Sequence, residues 1–326
     1  GALTVITEQC LPKYLITYIN TPIGQRLFWR LDSGGTRGRV VIGNLKKYPF
    51  LVPPKETQAQ IVAKMDAAYS DKKQKEAEAQ QLLDSIDDYL LGELGIELPE
   101  QEENTVANRT FFRTIRDMSG YRLDPYTYKK ERLDAIYSIE NGIYNANPLF
   151  QVLNHRTDKA SVIEKGTTYI GLENIESNTG EFVTTEEKES ISSASVFGRG
   201  DILFPKLRPY LNKVFYSDIE GLCSTEFYVL HSVAENNEYI ANFLRSKVVV
   251  AQTKNLMSGN TLPRLQYEDI QKLLIPIPPT DKQEKIVNHI TNIRNQAKEL
   301  QHQAKTGLEQ EKKEVEAMIL GIKKRL

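Results

Sequence analysis

The sequence predicts an α+β chain in which globular units of mixed β-sheet and short helices are each followed by one long helix. The two long helices are expected to pack together as an antiparallel coiled coil. Three observations predict this: a gapless internal repeat, a helical apolar period after each copy, and β-rich runs between the copies. Ser33 to Val62 reads against Ser258 to Val287 without a gap, Pro53 falling on Pro278 at a constant offset of 225. Held in register are Ser33/Ser258, Gly34/Gly259, Thr36/Thr261, Arg39/Arg264, Lys47/Lys272, Pro54/Pro279, Gln58/Gln283, Ile61/Ile286 and Val62/Val287. Further back, Tyr14 and Leu15 fall on Tyr239 and Ile240, and Ala2 to Glu8 on Phe227 to Val233.

The first copy thus begins partway, since about Leu123 to Glu226 of the second have no counterpart. The expected order is a C-terminal remnant of a first unit (1–52), a first long helix (53–98), a complete unit (99–279) and a second long helix (280–326). In the first helix Ile61, Met65, Ala68, Lys72, Lys75, Ala79, Leu82, Ile86 and Tyr89 step by four and three. Ile286, Ile290, Ile293, Ala297, Leu300, Ala304, Met318 and Ile322 mark the second. Each seam sustains a rod of about 60 Å, too long for the packing helix of a small domain. One such helix alone reads as a core or surface helix, but two in repeat-related positions point to each other. Lys72 and Lys75 are a weak spot in the seam, tolerable if their stems pack and their charges snorkel.

From Asp84 to Glu103 there are eight acidic residues and no basic one, which reads as a solvated linker. The unit beyond is mixed. TTYIGLENI, GDILFPKL, KVFYSD and STEFYVLHSV read as strands, and NNEYIANFLRSKVVVAQTKN as a helical run.

Composition removes several function classes. Lys+Arg number 42 and Asp+Glu 43, so a nucleic-acid surface must be local rather than a bulk basic charge. Two cysteines and four scattered histidines offer no disulfide framework and no metal-ligand spacing, which suits a reducing, cytoplasmic setting. No apolar run is long enough for a membrane span.

Catalytic motifs fare poorly. GxGxxG and GxxxxGKS are missing, and GRGD at Gly198 reads as a turn. NPLF (Asn147 to Phe150) lacks the second proline of an amino-methyltransferase motif and also reads as a plain turn. Glu186 to Lys188 sits in a charged run without a partner acid, and neither Cys10 nor Cys223 has an adjacent histidine.

Two stretches suit nucleic-acid contact instead. Gly198 to Phe215 carries Arg199, Lys206, Arg208 and Lys213 against Asp201, interleaved with Tyr210 and Asn212. Cations would fix phosphates, while Arg208 or Asn212 could read a base edge; the competing reading is a solvated hairpin. The repeated SGxTxxR supplies Ser258, Asn260, Thr261 and Arg264, followed by Gln266, and in the first copy Arg37 and Arg39. Glycine beside a hydroxyl lets backbone approach phosphate closely, although a turn with a helix cap explains part of the motif.

In order, YIGLENIESNTGEF, GDILFPKLRPYLNKV, STEFYVL, SGNTLPRL and IPIPPTDKQEKIV resemble the specificity (S) subunit of type I restriction-modification enzymes, the HsdS family. The resemblance covers essentially the whole chain and implies two target recognition domains, each reading half of a bipartite double-stranded DNA sequence. The long helices would form a spacer that docks two methyltransferase (M) subunits, with restriction (R) subunits joining. Ile61, Met65, Leu82, Ile86, Ile286, Ile290, Ile293 and Leu300 are the expected coil and partner residues. The subunit itself would be non-catalytic and without cofactor or metal. S-adenosylmethionine, ATP and Mg belong to the partners, and DNA methylation is the M subunit's reaction. The chain departs from the pattern in lacking the N-terminal part of the first recognition domain. A truncated or half subunit acting as a self-associating scaffold for M subunits therefore stands as the alternative, with an enzyme in its own right ranking lower.

Overall fold

A computed structural model describes residues 8–32, 40–98, 103, 105–114, 125–162, 166–185, 193–254, 256–257 and 263–322. The chain divides into two compact units, residues 1–83 with 294–326, and residues 84–293.

The first unit holds α1 (Pro12–Ile19), α2 (Pro22–Trp29), α3 (Ile42–Leu45) and most of the 40-residue α4 (Lys55–Leu94). Proline at the start of α1 and α2 costs no hydrogen bond there, and the Thr21 side chain caps α2 by accepting from the Gly24 amide. Gly24 has no alternative, because a Cβ would lie 2.0 Å from the Tyr18 carbonyl oxygen. In the second unit α5 (Val106–Arg109) and α6 (Lys130–Glu140) precede β1 (Ala146–Pro148), α7 (Leu149–Val152), β2 (Asn154–Arg156), β3 (Lys159–Ala160) and β4 (Tyr169–Ile170). Then come β5 (Ala194–Phe197), β6 (Ile202–Pro205), β7 (Phe215–Tyr216), β8 (Gly221–Ser224) and β9 (Phe227–His231). The chain closes with α8 (Asn237–Leu244), α9 (Lys247–Thr253), α10 (Tyr267–Ile270), β10 (Leu274–Pro276) and the 40-residue α11 (Thr280–Ile319).

The strands form two four-stranded sheets, ordered β2-β9-β6-β7 and β3-β5-β8-β4, and a two-stranded β1-β10 ladder. Among the described residues only β4 runs parallel to its neighbour. In the first sheet the central strands β6 and β9 are buried on both faces. Leu203, Phe215, Phe227 and Val229 pack with Phe197 and Cys223 of the second sheet, while Ile202, Phe204, Tyr228 and Leu230 join the core beneath α6, α8 and α9.

The repeat holds element by element at the offset of 225, α1 matching α8, α2 matching α9, α3 matching α10 and α4 matching α11. It also holds bond by bond. The buried Tyr14 hydroxyl donates to the Leu51 carbonyl at 2.8 Å, and the buried Tyr239 hydroxyl donates to the Pro276 carbonyl at 2.8 Å. Gln58 accepts from the Leu11 amide at 2.8 Å and donates to Pro53; Gln283 accepts from the Asn236 amide at 3.0 Å and donates to Pro278. The shared glutamine fixes the start of each long helix to the short helix before it.

Within each unit the long helices run antiparallel. In the first, Lys64 pairs with Glu311 and Glu314, and Ile61, Met65 and Ala68 share a core with Leu308, Val315 and Ile319. In the second, Lys282 pairs with Glu93, and the Tyr89 and His289 rings lie 3.9 Å apart. Every predicted seam residue of α4 is buried or half-buried, and Lys72 and Lys75 hold Glu76 and Asp71 along their own helix. The α11 seam differs at its end: it passes through Leu308, Val315 and Ile319, whereas Ile322 lies beyond the helix and is exposed.

Three further expectations are corrected. The acidic stretch is not all linker: Asp84 to Leu94 completes α4, with Leu90, Leu91 and Leu94 buried, Asp84 and Asp88 exposed, and Asp87 and Glu93 held by Lys247 and Lys282. NNEYIANFLRSKVVVAQTKN is two helices, broken where the Ser246 hydroxyl bonds the Phe243 carbonyl at 2.6 Å. NPLF ends β1 and opens α7 rather than making a plain turn.

Candidate nucleic-acid interface

The segment between β6 and β7 projects from a rigid base. The Lys206 amide donates to the Glu226 carbonyl, and the Leu265 amide donates back to the Lys206 carbonyl. Leu207 forms an antiparallel bridge with Arg264, and the Arg208 amide donates to Pro263 at 3.1 Å. A 3-10 turn over Pro209–Leu211 follows, bracketed by Arg208 at φ 49° and Asn212 at φ 51°. Asparagine tolerates this left-handed backbone, whereas arginine does so at a cost of about 1 kcal/mol.

The predicted contact residues separate into two groups. Arg199, Arg208 and Tyr210 are exposed, and Arg208 has no side-chain partner among the described residues. Asn212, Lys213, Lys206 and Arg264 are held by bonds within the unit. The Asn212 amide is buried and donates to the Arg245 carbonyl at 2.6 Å and to Asn178 at 3.3 Å, so it staples the turn to α8. Gly180 (φ 69°) makes room for this, since a Cβ there would sit 2.3 Å from the Val214 carbonyl oxygen. Lys213 donates to Leu172 at 2.8 Å, and Lys206 to Thr225 at 2.8 Å with its ammonium over the Tyr228 ring. Arg264 grips Glu226 through two nitrogens, at 2.9 and 2.7 Å. Gln266 precedes α10 and is exposed. Ser258, Asn260, Thr261, Arg37, Arg39 and the Glu186 to Lys188 run lie outside the described residues.

Beside Lys206 stands a group that charge counting missed. His155 of β2 packs at 4.7 Å on Tyr267 and edge-on against Tyr228, and the Lys159 ammonium donates to Ser195 at 2.7 Å. Burial first, then the charges of Lys206 and Lys159, lower the His155 pKa. Burial first, then Lys159, lowers that of Lys206, with Glu226 opposing. A patch whose cations depress one another gains from an approaching anion. The signal available in the sequence was the run NHRTDKA.

The long-helix residues serve internal packing. Ile61 and Met65 belong to the first unit's core and Ile286 and Ile290 to the second's; Ile293 is buried, and Leu82, Ile86 and Leu300 are half-buried. A partner would have to use the outward faces. Burial pushes the Cys223 thiol up to about 12, the opposite of an activated nucleophile. Among the described residues no helix is long and apolar enough to cross a membrane, and no His, Cys, Asp or Glu group could hold a metal ion.

The second unit is sheet-built and carries the exposed Arg208 on its 3-10 turn. The family described as "Type I restriction modification DNA specificity domain" matches residues 143–310, just over half the chain, and the chain belongs to that family. It is similar to the type I restriction enzyme EcoDI specificity subunit of Escherichia coli, 21% identical over 321 residues, covering 90% of this chain and 69% of that one. The fold resembles a solved structure described as the basis of complex assembly and conformational transition of the type I R-M system. There the identity is 15%, the coverage 97% of this chain and 71% of the other, and the TM-score 0.53. The HsdS subunit of Thermoanaerobacter tengcongensis aligns over 97% of this chain and 72% of its own at 15% identity and a TM-score of 0.42. The chain is a type I restriction-modification specificity subunit, and its family assigns it specificity rather than catalysis.

Proposed function

We propose that this subunit binds one half of a bipartite double-stranded DNA target through the recognition unit at residues 99–279 and docks methyltransferase subunits through the outward faces of α4 and α11. The observation that carries the DNA reading is Arg208, an exposed cation with no side-chain partner among the described residues, on a strained turn anchored at both ends, next to the electropositive Lys206, Lys159 and His155 group. Arg199 and Tyr210 extend the surface as phosphate and stacking contacts. Lys206, Asn212 and Lys213 take the role of positioning the turn, and Arg264 contributes through its pair with Glu226.

Two M subunits, with R subunits joining them, would bring S-adenosylmethionine, ATP and Mg, so that methylation and cleavage happen on partners, in the cytoplasm. The paired helices would act as a spacer of fixed length. Changing the buried Ile293 to Asp places a charge in the helix pair and should abolish M-subunit pull-down. Intact capture by a folded Ile293→Asp chain would count against docking through the helices.

A further inference from the structure

Three segments of the second unit meet on one buried side chain, that of Arg245, which closes α8 and is 6% exposed. Its Nε donates to the Val214 carbonyl at 2.9 Å and its Nη1 to Asn242 Oδ1 of α8 at 2.8 Å. Its own carbonyl accepts from Asn212 Nδ2 at 2.6 Å. The third segment is the turn around Asn178 and Gly180, both left-handed at φ 68° and 69°. The Asn178 amide donates to the Asn212 carbonyl at 2.9 Å, and a Cβ on Gly180 would lie 2.6 Å from the arginine Nε.

Closing α8 does not call for an arginine. At the offset of 225 the residue that closes α1 is Asn20, whose amide bonds back into its helix as that of Arg245 does. The next hydroxyl is kept, Thr21 bonding Tyr18 as Ser246 bonds Phe243, while Thr17 stands where Asn242 does. The Arg245–Asn242 pair is thus added to the repeated helix pair. Asn242 shows that the addition has a cost, since it is buried and its Nδ2 has no partner among the described residues. Its oxygen is the end turned to the guanidinium.

Asn212 and Val214 are the exit of the turn that carries Arg208. The entry is fixed by backbone, through Leu207 with Arg264 and Arg208 with Pro263, whereas the exit hangs on Arg245. We propose that Arg245 is a positioning residue for DNA binding, which fixes the exit of the Arg208 turn and acts on DNA only through that turn. This rests on the reading of Arg208 as a phosphate contact. Held at both ends, Arg208 is kept at φ 49°; with the exit released its backbone should relax out of the left-handed region and carry the guanidinium off the phosphate.

Fluorescence anisotropy of the full chain on a duplex carrying the motif found in methylated genomic DNA, across a salt series, tests this. A folded Arg245→Gln chain should lose about 0.9 of the slope of log K against log salt, as Arg208→Ala does. The double variant should lose it once, binding within about twofold of Arg208→Ala alone. A purely structural role would leave the slope intact. Arg245→Lys keeps the charge and is the milder change, and it decides the matter if the glutamine chain does not fold. With one nitrogen for two acceptors it should lose slope as well, and a native slope would overturn the proposal by showing that buried charge suffices. If Arg208→Ala keeps the native slope, the DNA reading of the turn falls and the proposal with it. If Arg208→Ala loses slope and a folded Arg245→Gln chain does not, the proposal alone falls. A double variant much weaker than Arg208→Ala would also overturn it, because Arg245 would then act by another route.

Discussion

Replacing Arg208 with alanine is the sharpest perturbation of the proposed DNA surface. Its guanidinium is exposed and without a partner among the described residues, so truncation strands no buried group. Alanine keeps the Cβ, leaving the backbone strain at φ 49° unchanged. Folding stability should therefore stay within about 0.5 kcal/mol. DNA affinity should fall, and the slope of log K against log salt should drop by about 0.9, one phosphate contact. Between 50 and 200 mM salt that slope amounts to about a 3.5-fold change in the ratio of native to variant affinity. Fluorescence anisotropy on a duplex carrying the target, at four or five salt concentrations, reads it directly. Arg264→Ala should weaken binding as well, because it releases the Glu226 carboxylate beside the turn. An unaltered slope in a folded Arg208→Ala chain would refute the assignment of this turn to phosphate.

Gln283→Leu removes bonds to Asn236, Pro278 and Glu235 from a buried site, and Gln58→Leu removes the equivalent bonds to Leu11 and Pro53 together with one to the Gln9 carbonyl. Each should lower stability by about 2–4 kcal/mol in urea unfolding, and a loss in only one copy would contradict their structural equivalence. His155 has a lowered folded pKa, so the unfolded chain binds more protons as pH falls through the ordinary histidine range. Stability should decline from pH 7 to 5, and His155→Gln should flatten that decline; a native chain with no decline would remove the electropositive patch from the account.

Legibility in the sequence followed the range of the interaction. Repeated residues such as Gln58 and Gln283 were visible because identity at one offset needs no knowledge of contacts, and both proved to be helix anchors. The α4 seam was legible through Lys72 and Lys75, whose stems follow the period even though their charges do not. Distant carbonyls were not legible. Asn212, Lys213 and Lys206 share one basic stretch, but their partners at Arg245, Leu172 and Thr225 come from other elements, so clustering alone overstated how many face solvent. The acidic run misled because mean charge hides both the buried Leu90, Leu91 and Leu94 between the acids and the distant cations, Lys247 and Lys282, that hold Asp87 and Glu93.

The most direct measurement is co-expression of this chain with its M subunit, followed by mapping of adenine methylation across genomic DNA. Specificity exercised by this chain predicts methylation at a split motif with a fixed gap, lost in the Arg208→Ala chain. Methylation without a motif, or none from a stable complex, would contradict the assignment of DNA reading to this subunit.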